Sequence, residues 1–215
     1  MQPETDHKAR SQGGRPSREE AALRDERILE VALTLFTANG FAATSIEAVA
    51  RGAGVAKRTL YARYPDKAAL FVAVIRRQID EWLATLRELG GADADVAALL
   101  YSLGISMFEV TTSPRAVALI RIIRAEGVRF PDMAEALHEM CLLHIRGMIA
   151  GILSREAERG RLRIDDPMFA ACQFHQLVVG EPLDRLLSGN PHPLTAEQGA
   201  DWVRRSVALF LHGVA

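Results

Sequence analysis

Between Thr44 and Tyr64 the chain reads TSIEAVARGAGVAKRTLYARY, with Ala50, Gly54 and Leu60 at the fifth, ninth and fifteenth places counted from Ile46. That spacing is the signature of a helix-turn-helix. Two short helices crossing at a steep angle need a small residue where their backbones approach, and Ala50 supplies it. The turn between them needs a residue that tolerates a left-handed backbone, and Gly54 does so at no steric cost. Val55 and Leu60 are then set to tie the second helix to the first. That second helix, roughly Lys57 to Tyr64, carries Lys57, Arg58, Thr59, Tyr61 and Arg63, all able to donate to phosphates or base edges. The expectation is a recognition helix entering a major groove of duplex DNA.

Charge distribution agrees with a polyanionic partner on one side only. Residues 1–77 hold 13 Lys and Arg against 9 Asp and Glu, a net of +4. The remaining 138 residues hold 13 against 18, a net of −5, so the whole-chain value of −1 hides a basic front half. A basic segment attracts nucleic acid, and the acidic remainder is repelled from it. Cys141 and Cys172 are too few for a disulfide framework, which points to a reducing compartment. The first twenty residues lack the apolar core of a signal peptide, and no apolar run is long enough to span a bilayer. A cytoplasmic protein with no membrane partner is expected.

Helical periodicity continues along the chain. Residues 1–18 are polar and read as a flexible basic arm, with Arg15 beside Pro16 placed to enter an adjacent minor groove. From Glu19 to Asn39 apolar residues recur at helical spacing, and Gly40 is suited to end that helix. Thr44 or Ser45 caps the next helix, and Asp66 caps a long one running from Lys67 to about Leu89, closed by Gly90-Gly91. Further helical patterns cover about 94–110, 114–127, 132–159, 167–187 and 195–213, separated by Pro and Gly breaks. No alternating pattern of a strand is present, so the fold class is all-α. The division expected is an arm (1–18), a helix-turn-helix domain (19–66) and a larger helical domain (67–215).

The polar arm, first helix, helix-turn-helix and following LYARYPDKAALF together resemble the TetR/AcrR family of bacterial transcriptional regulators over roughly residues 14–72. The resemblance implies a homodimeric repressor of a palindromic operator, with a C-terminal helical domain that binds a small-molecule effector and so releases DNA. No enzymatic activity and no cofactor are expected. The resemblance assigns Thr44 to a phosphate contact, Lys57, Arg58 and Thr59 to base reading, and Tyr61 and Lys67 to phosphates. Two positions depart from the family's habit. Ala56 stands where Ser or Thr is common, removing a side-chain cap from the recognition helix, and Arg63 replaces a common His.

The C-terminal half carries no nucleophile elbow, zinc-protease or phosphate-loop motif. Within 132–159 one stripe reads Met133, Leu137, Cys141, His144, Met148, Ile152, and its neighbour reads Ala134, Leu142, Ile145, Ile149, Leu153. A helix apolar on both stripes needs its own core and something else to bury against, so 132–159 and 167–187 are the expected dimer interface. Gly147 and Gly151 permit a close backbone approach there. His138, Cys141 and His144 lack a second ligand cluster, so a metal is not expected. The effector pocket implied by the resemblance is assigned, from helix position, to Trp82, Tyr101, Phe108, Arg121, Met148, Phe174 and His175, with Met107 beside them. The other reading of this half is a dimerisation or protein-partner module with no effector.

Overall fold

The computed structural model describes residues 18–86, 95–189 and 194–214, which form ten α-helices and one π-helical stretch with no strand among them. The all-α expectation holds. The helices are α1 (Arg18–Ala43), α2 (Ile46–Ala53), α3 (Lys57–Arg63), α4 (Lys67–Leu86), α5 (Val96–Thr112), α6 (Pro114–Glu126), α7 (Pro131–Leu137), α8 (His144–Glu158), α9 (Pro167–Leu187) and α10 (Ala196–Val214). No single helix among the described residues is long and apolar enough to cross a membrane. The arm with Arg15, and the expected end of α4 at Gly90-Gly91, lie outside the described residues.

Local chemistry explains most boundaries. Gly40 breaks α1 with φ 79° and ψ 175°, a backbone region that side chains other than glycine's scarcely enter. The break lets Phe41 turn inward, where its ring packs on Phe36 (5.8 Å), Phe71 (5.7 Å) and Phe130 (5.4 Å). Ser45, rather than Thr44, caps α2, accepting from the Ala48 amide at 3.1 Å. Gly54 ends α2 at φ 69°, and the Val55 amide closes back onto the Ala50 carbonyl at 3.0 Å. Asp66 accepts from the Ala69 amide at 2.7 Å and starts α4. Asp95, Ser113 and Asp166 do the same for α5, α6 and α9.

The continuous helix expected over 132–159 is interrupted. Residues His138–Leu143 are π-helical, and α7 and α8 flank them. A π stretch inserts an extra residue into the turn and shifts the phase of everything after it, which a single 3.6-residue period cannot anticipate. The stripe read from Met133 to Ile152 therefore leaves one face. Met133 is buried, His144 is exposed, and Met148 and Ile152 are half-buried. The buried surface of α8 is Ile149, Ala150 and Leu153. The side chain of Cys141 lies outside the described residues.

Two hydrophobic cores result, and α4 enters both. Leu70, Phe71, Val74 and Ile75 in its first half pack with Ile28, Phe36, Val49 and Leu60, and with Leu119, Ile122 and Met133 from α6 and α7. Trp82, further along α4, belongs to a second core built from α5, α8, α9 and α10 around Leu100, Met107, Leu153, Phe174 and Val178. The helix-turn-helix thus rests on α6 and α7 as well as on its own helices.

Candidate nucleic-acid interface and effector domain

α3 is held from below by Leu60, which is fully buried, and by Tyr64, buried at its end. Burial raises the Tyr64 phenol above its ordinary pKa, with Asp25 adding to the effect. Tyr64 is a core residue, not a contact. With Leu60 inward, Lys57, Arg58 and Tyr61 are left exposed and Thr59 half-buried. Ala56 provides no side-chain cap, as expected from its methyl group.

The cations of α3 are not all free. Lys57 forms an ion pair with Glu47 of α2 and lies 5.5 Å from the centre of the Tyr61 ring. The hydrogen bond to Lys57 holds the Glu47 carboxyl below its usual pKa, and the same bond raises that of the Lys57 ammonium. Arg63, expected to face DNA, pairs with Asp25 of α1 at 3.0 Å. Arg58 has no hydrogen-bond or ion-pair partner among the described residues. Residues this far apart in sequence carried no signal for these pairs.

Two expected contact positions are occupied differently in the free chain. Thr44 is only 2% exposed, with its hydroxyl 2.8 Å from the Gly40 carbonyl and 3.1 Å from that of Leu35. In the free chain its one proton goes to the end of α1. The Lys67 ammonium donates to the carbonyls of Phe41 (2.7 Å) and Ala42 (3.2 Å) and sits 4.6 Å over the Phe41 ring. The Gly40, Phe41 and Ala42 carbonyls belong to the last turn of α1, where C=O groups lack intrahelical partners, and Thr44 and Lys67 supply donors instead. Both residues knot α1 to the start of α2 and α4.

In the second core the expected pocket residues scatter. Phe174 and Met107 are packed solid, with Phe174 edge-on to Phe210 at 5.2 Å. Trp82 is buried and donates its indole N–H to the Ser106 hydroxyl at 2.9 Å. Arg121 fastens two helices. It is exposed and donates to the Leu186 carbonyl at 2.6 Å, fastening α6 to the end of α9 beside an Arg124–Asp184 pair at 3.0 Å. Tyr101 and Phe108 do line a groove of about 440 Å³ between α5 and α10, in company with Glu109 and Thr112, which periodicity did not single out. Met148 is half-buried on α8, and His175 is buried on α9.

Comparison with known proteins resolves what such an arrangement belongs to. Residues 28–74 match the family described as "Bacterial regulatory proteins, tetR family", and residues 97–213 match "AefR-like transcriptional repressor, C-terminal domain". The chain belongs to the TetR family. Members are DNA-binding regulators and not enzymes. Among TetR-family relatives, the HTH-type transcriptional regulator RutR of Escherichia coli (strain K12) is 40% identical over 86 residues. That match spans 40% of this chain and only 40% of RutR. The HTH-type transcriptional repressor KstR2 of Rhodococcus jostii (strain RHA1) is 26% identical over 157 residues, covering 70% of this chain and 74% of KstR2. Of solved structures, the flavonoid-responsive regulator FrrA aligns with a TM-score of 0.75 at 30% identity, covering 90% of this chain and 97% of FrrA. A TetR-family regulator from Mesorhizobium loti MAFF303099 reaches 0.83 at 23% identity, over 93% of this chain and 100% of that one, a likeness of fold.

Proposed function

We propose that this TetR-family regulator is a homodimeric repressor that holds a palindromic operator and releases it when a small molecule occupies the C-terminal domain. The observation that carries the reading is α3, anchored by Leu60 and exposing Lys57, Arg58 and Tyr61 on one side. Such a helix reaches base edges through Lys57, Arg58 and Thr59 and phosphate through Tyr61. Arg15, Arg63, Thr44 and Lys67 take lesser roles: Arg63 by leaving Asp25, Thr44 and Lys67 by fixing the angle at which α2 and α4 leave α1.

Dimerisation through α8 and α9 is supported by the space around two glycines. A side chain at Gly147 would meet nothing within 4 Å, and one at Gly151 only the tip of Arg155. Nothing inside the protomer demands glycine there, whereas a close partner helix would. The exposed Leu143, Met168 and Phe169 lie at the ends of the same helices. Two recognition helices then span half-sites about one DNA turn (~34 Å) apart.

The response to an effector needs a mechanical link, and α4 with Phe130 offers one. Phe130 opens α7 and packs on Phe41, whose carbonyl holds Lys67. A displacement of α7 would alter the seat of α4 and with it the separation of the two α3 helices. That FrrA is flavonoid-responsive favours effector control in this relative also.

The test begins with sequence selection from genomic fragments by the purified chain. An inverted repeat should be enriched, and Lys57→Ala and Tyr61→Ala should each weaken its binding about tenfold while the dimer stays folded. A chain that enriches no palindrome, or variants with unchanged affinity at matched salt, would remove the assignment.

A further inference from the structure

Arg146 and His175 stand out because neither is accounted for by the packing around it. His175, on α9, is 9% exposed, and its Nδ1 has no hydrogen-bond partner. Arg146, in the first turn of α8, has its Nε buried and likewise unpartnered, and no ion pair neutralises its guanidinium among the described residues. The third such atom among the described residues, Glu156 Oε2, has a cation beside it: Arg161 Nε lies 2.6 Å away, and Arg159 pairs with Oε1 at 2.9 Å. An orphaned guanidinium nitrogen and an orphaned imidazole nitrogen inside one helical domain are costly, and proteins tolerate such costs chiefly at functional sites.

The two residues lie about one helical turn apart along a helical hairpin. α8 and α9 are joined by residues 159–166 and pack along their lengths. Arg146 is twelve residues before the end of α8 and His175 eight after the start of α9, or about 18 Å and 12 Å from the connection at ~1.5 Å per residue. The offset of about one helical turn is within reach of an arginine side chain. The positive field of Arg146, second to burial itself, contributes to holding the His175 pKa down at about 4, while Gln176 pulls the other way. His175 is therefore neutral near pH 7, and its Nδ1 is free to carry the proton. The π stretch immediately before Arg146 packs against α4, so this level of the hairpin adjoins the helix that enters both cores.

We propose that Arg146 and His175 together bind the carboxylate of an acidic effector, whose apolar body lies along the neighbouring half-buried Ile145 and Met148 of α8. One guanidinium and one neutral imidazole offer a single positive charge with donors on two helices. A carboxylate completes that set to neutrality, whereas a phosphate dianion would leave a buried negative charge. Binding would supply partners for Arg146 Nε and His175 Nδ1 and would draw α8 and α9 together beside the π stretch. The inference rests on the effector-responsive reading above and names the effector's chemical class.

The experiment follows thermal unfolding of the full-length protein with benzoate and octanoate, each paired with its neutral amide, and follows operator binding separately. At least one carboxylate should raise Tm saturably while its amide does not. Arg146→Met should abolish that rise and leave the unliganded Tm unchanged or higher, since it removes an unpaired charge; His175→Gln should weaken carboxylate binding by about tenfold. Equal effects of acid and amide, no saturable effect of either carboxylate, or an Arg146→Met protein that still responds would overturn the proposal. So would an Arg146→Met protein of lower Tm, which would make Arg146 structural. Should that variant fail to fold, Arg146→Lys must bind the carboxylate about tenfold more weakly, and equal binding overturns the site. Operator release by a neutral compound, with no carboxylate binding, would sink the site and spare the repressor reading. Carboxylate binding without operator release would do the reverse.

Discussion

Glu47 and Asp25 do at the residue scale what a phosphate does in a complex: they accept from Lys57 and Arg63. Each cation must exchange a carboxylate for DNA, so the acids set part of the affinity. Glu47→Gln frees Lys57 and removes a negative charge from the interface. Operator binding should tighten about two- to fivefold at low salt and converge on the parent value as salt rises, which titration at several ionic strengths measures. His175 makes a different prediction. Its folded pKa of about 4 lies below the ordinary 6.5, so the unfolded chain takes up a proton first as pH falls. The stability tied to neutral His175 is present above pH 6.5 and is lost as pH drops toward 4, by up to about 3 kcal/mol. The groups facing it are Arg146 on α8 and Gln176 on its own helix. His175→Gln should flatten the fall of unfolding free energy between pH 6.5 and 4 in denaturant titrations; an unchanged slope would place the titration elsewhere.

Among the elements, α2 and α3 form a unit whose geometry depends on one backbone angle and tolerates one missing cap. Gly54 sits at φ 69°, where a side chain would meet no atom within 4 Å, so the demand for glycine is conformational and not steric crowding. Gly54→Ala should cost about 1–2 kcal/mol of stability and weaken operator binding by tilting α3. Ala56→Ser should do the opposite for stability, adding about 0.5–1 kcal/mol by capping α3, which has no side-chain cap in this chain. Chemical denaturation of both variants checks the signs together. The π stretch between α7 and α8 is the element least readable from sequence. Widening one turn re-aims every later side chain, so that His144 is exposed while Ile149 and Leu153 turn inward.

Across the whole molecule, the first core cannot close without α6 and α7, and α4 cannot move without disturbing both cores. Phe130, at the start of α7, packs on Phe41 of the Phe36–Phe41–Phe71 cluster. Phe130→Ala should cost about 2–3 kcal/mol of stability. It should also weaken operator binding several-fold although residue 130 is remote from α3, because Phe41 and the Lys67 knot lose their seat. Lost stability with unchanged operator affinity would reduce Phe130 to packing alone.

The chain's local patterns were enough to dictate nine helical segments, the turn at Gly54, the cap at Asp66, the uncapped α3 and the inward Leu60. These depend on neighbours within a few residues, where backbone preference and side-chain reach are set by the residues themselves. Tertiary structure alone decided the rest. Thr44 and Lys67 turned to the carbonyls at the end of α1 because the fold brings both side chains within reach of them. Arg63 and Arg121 went to Asp25 and Leu186 because packing brought distant helices within hydrogen-bond range. Arg146 passed unnoticed in the sequence, since a lone arginine among apolar residues looks like any surface charge. Only when α8 lies against α9 is its Nε buried without a hydrogen-bond partner. Long-range pairing is paid for by the fold as a whole, so no window of sequence contains the information that sets it.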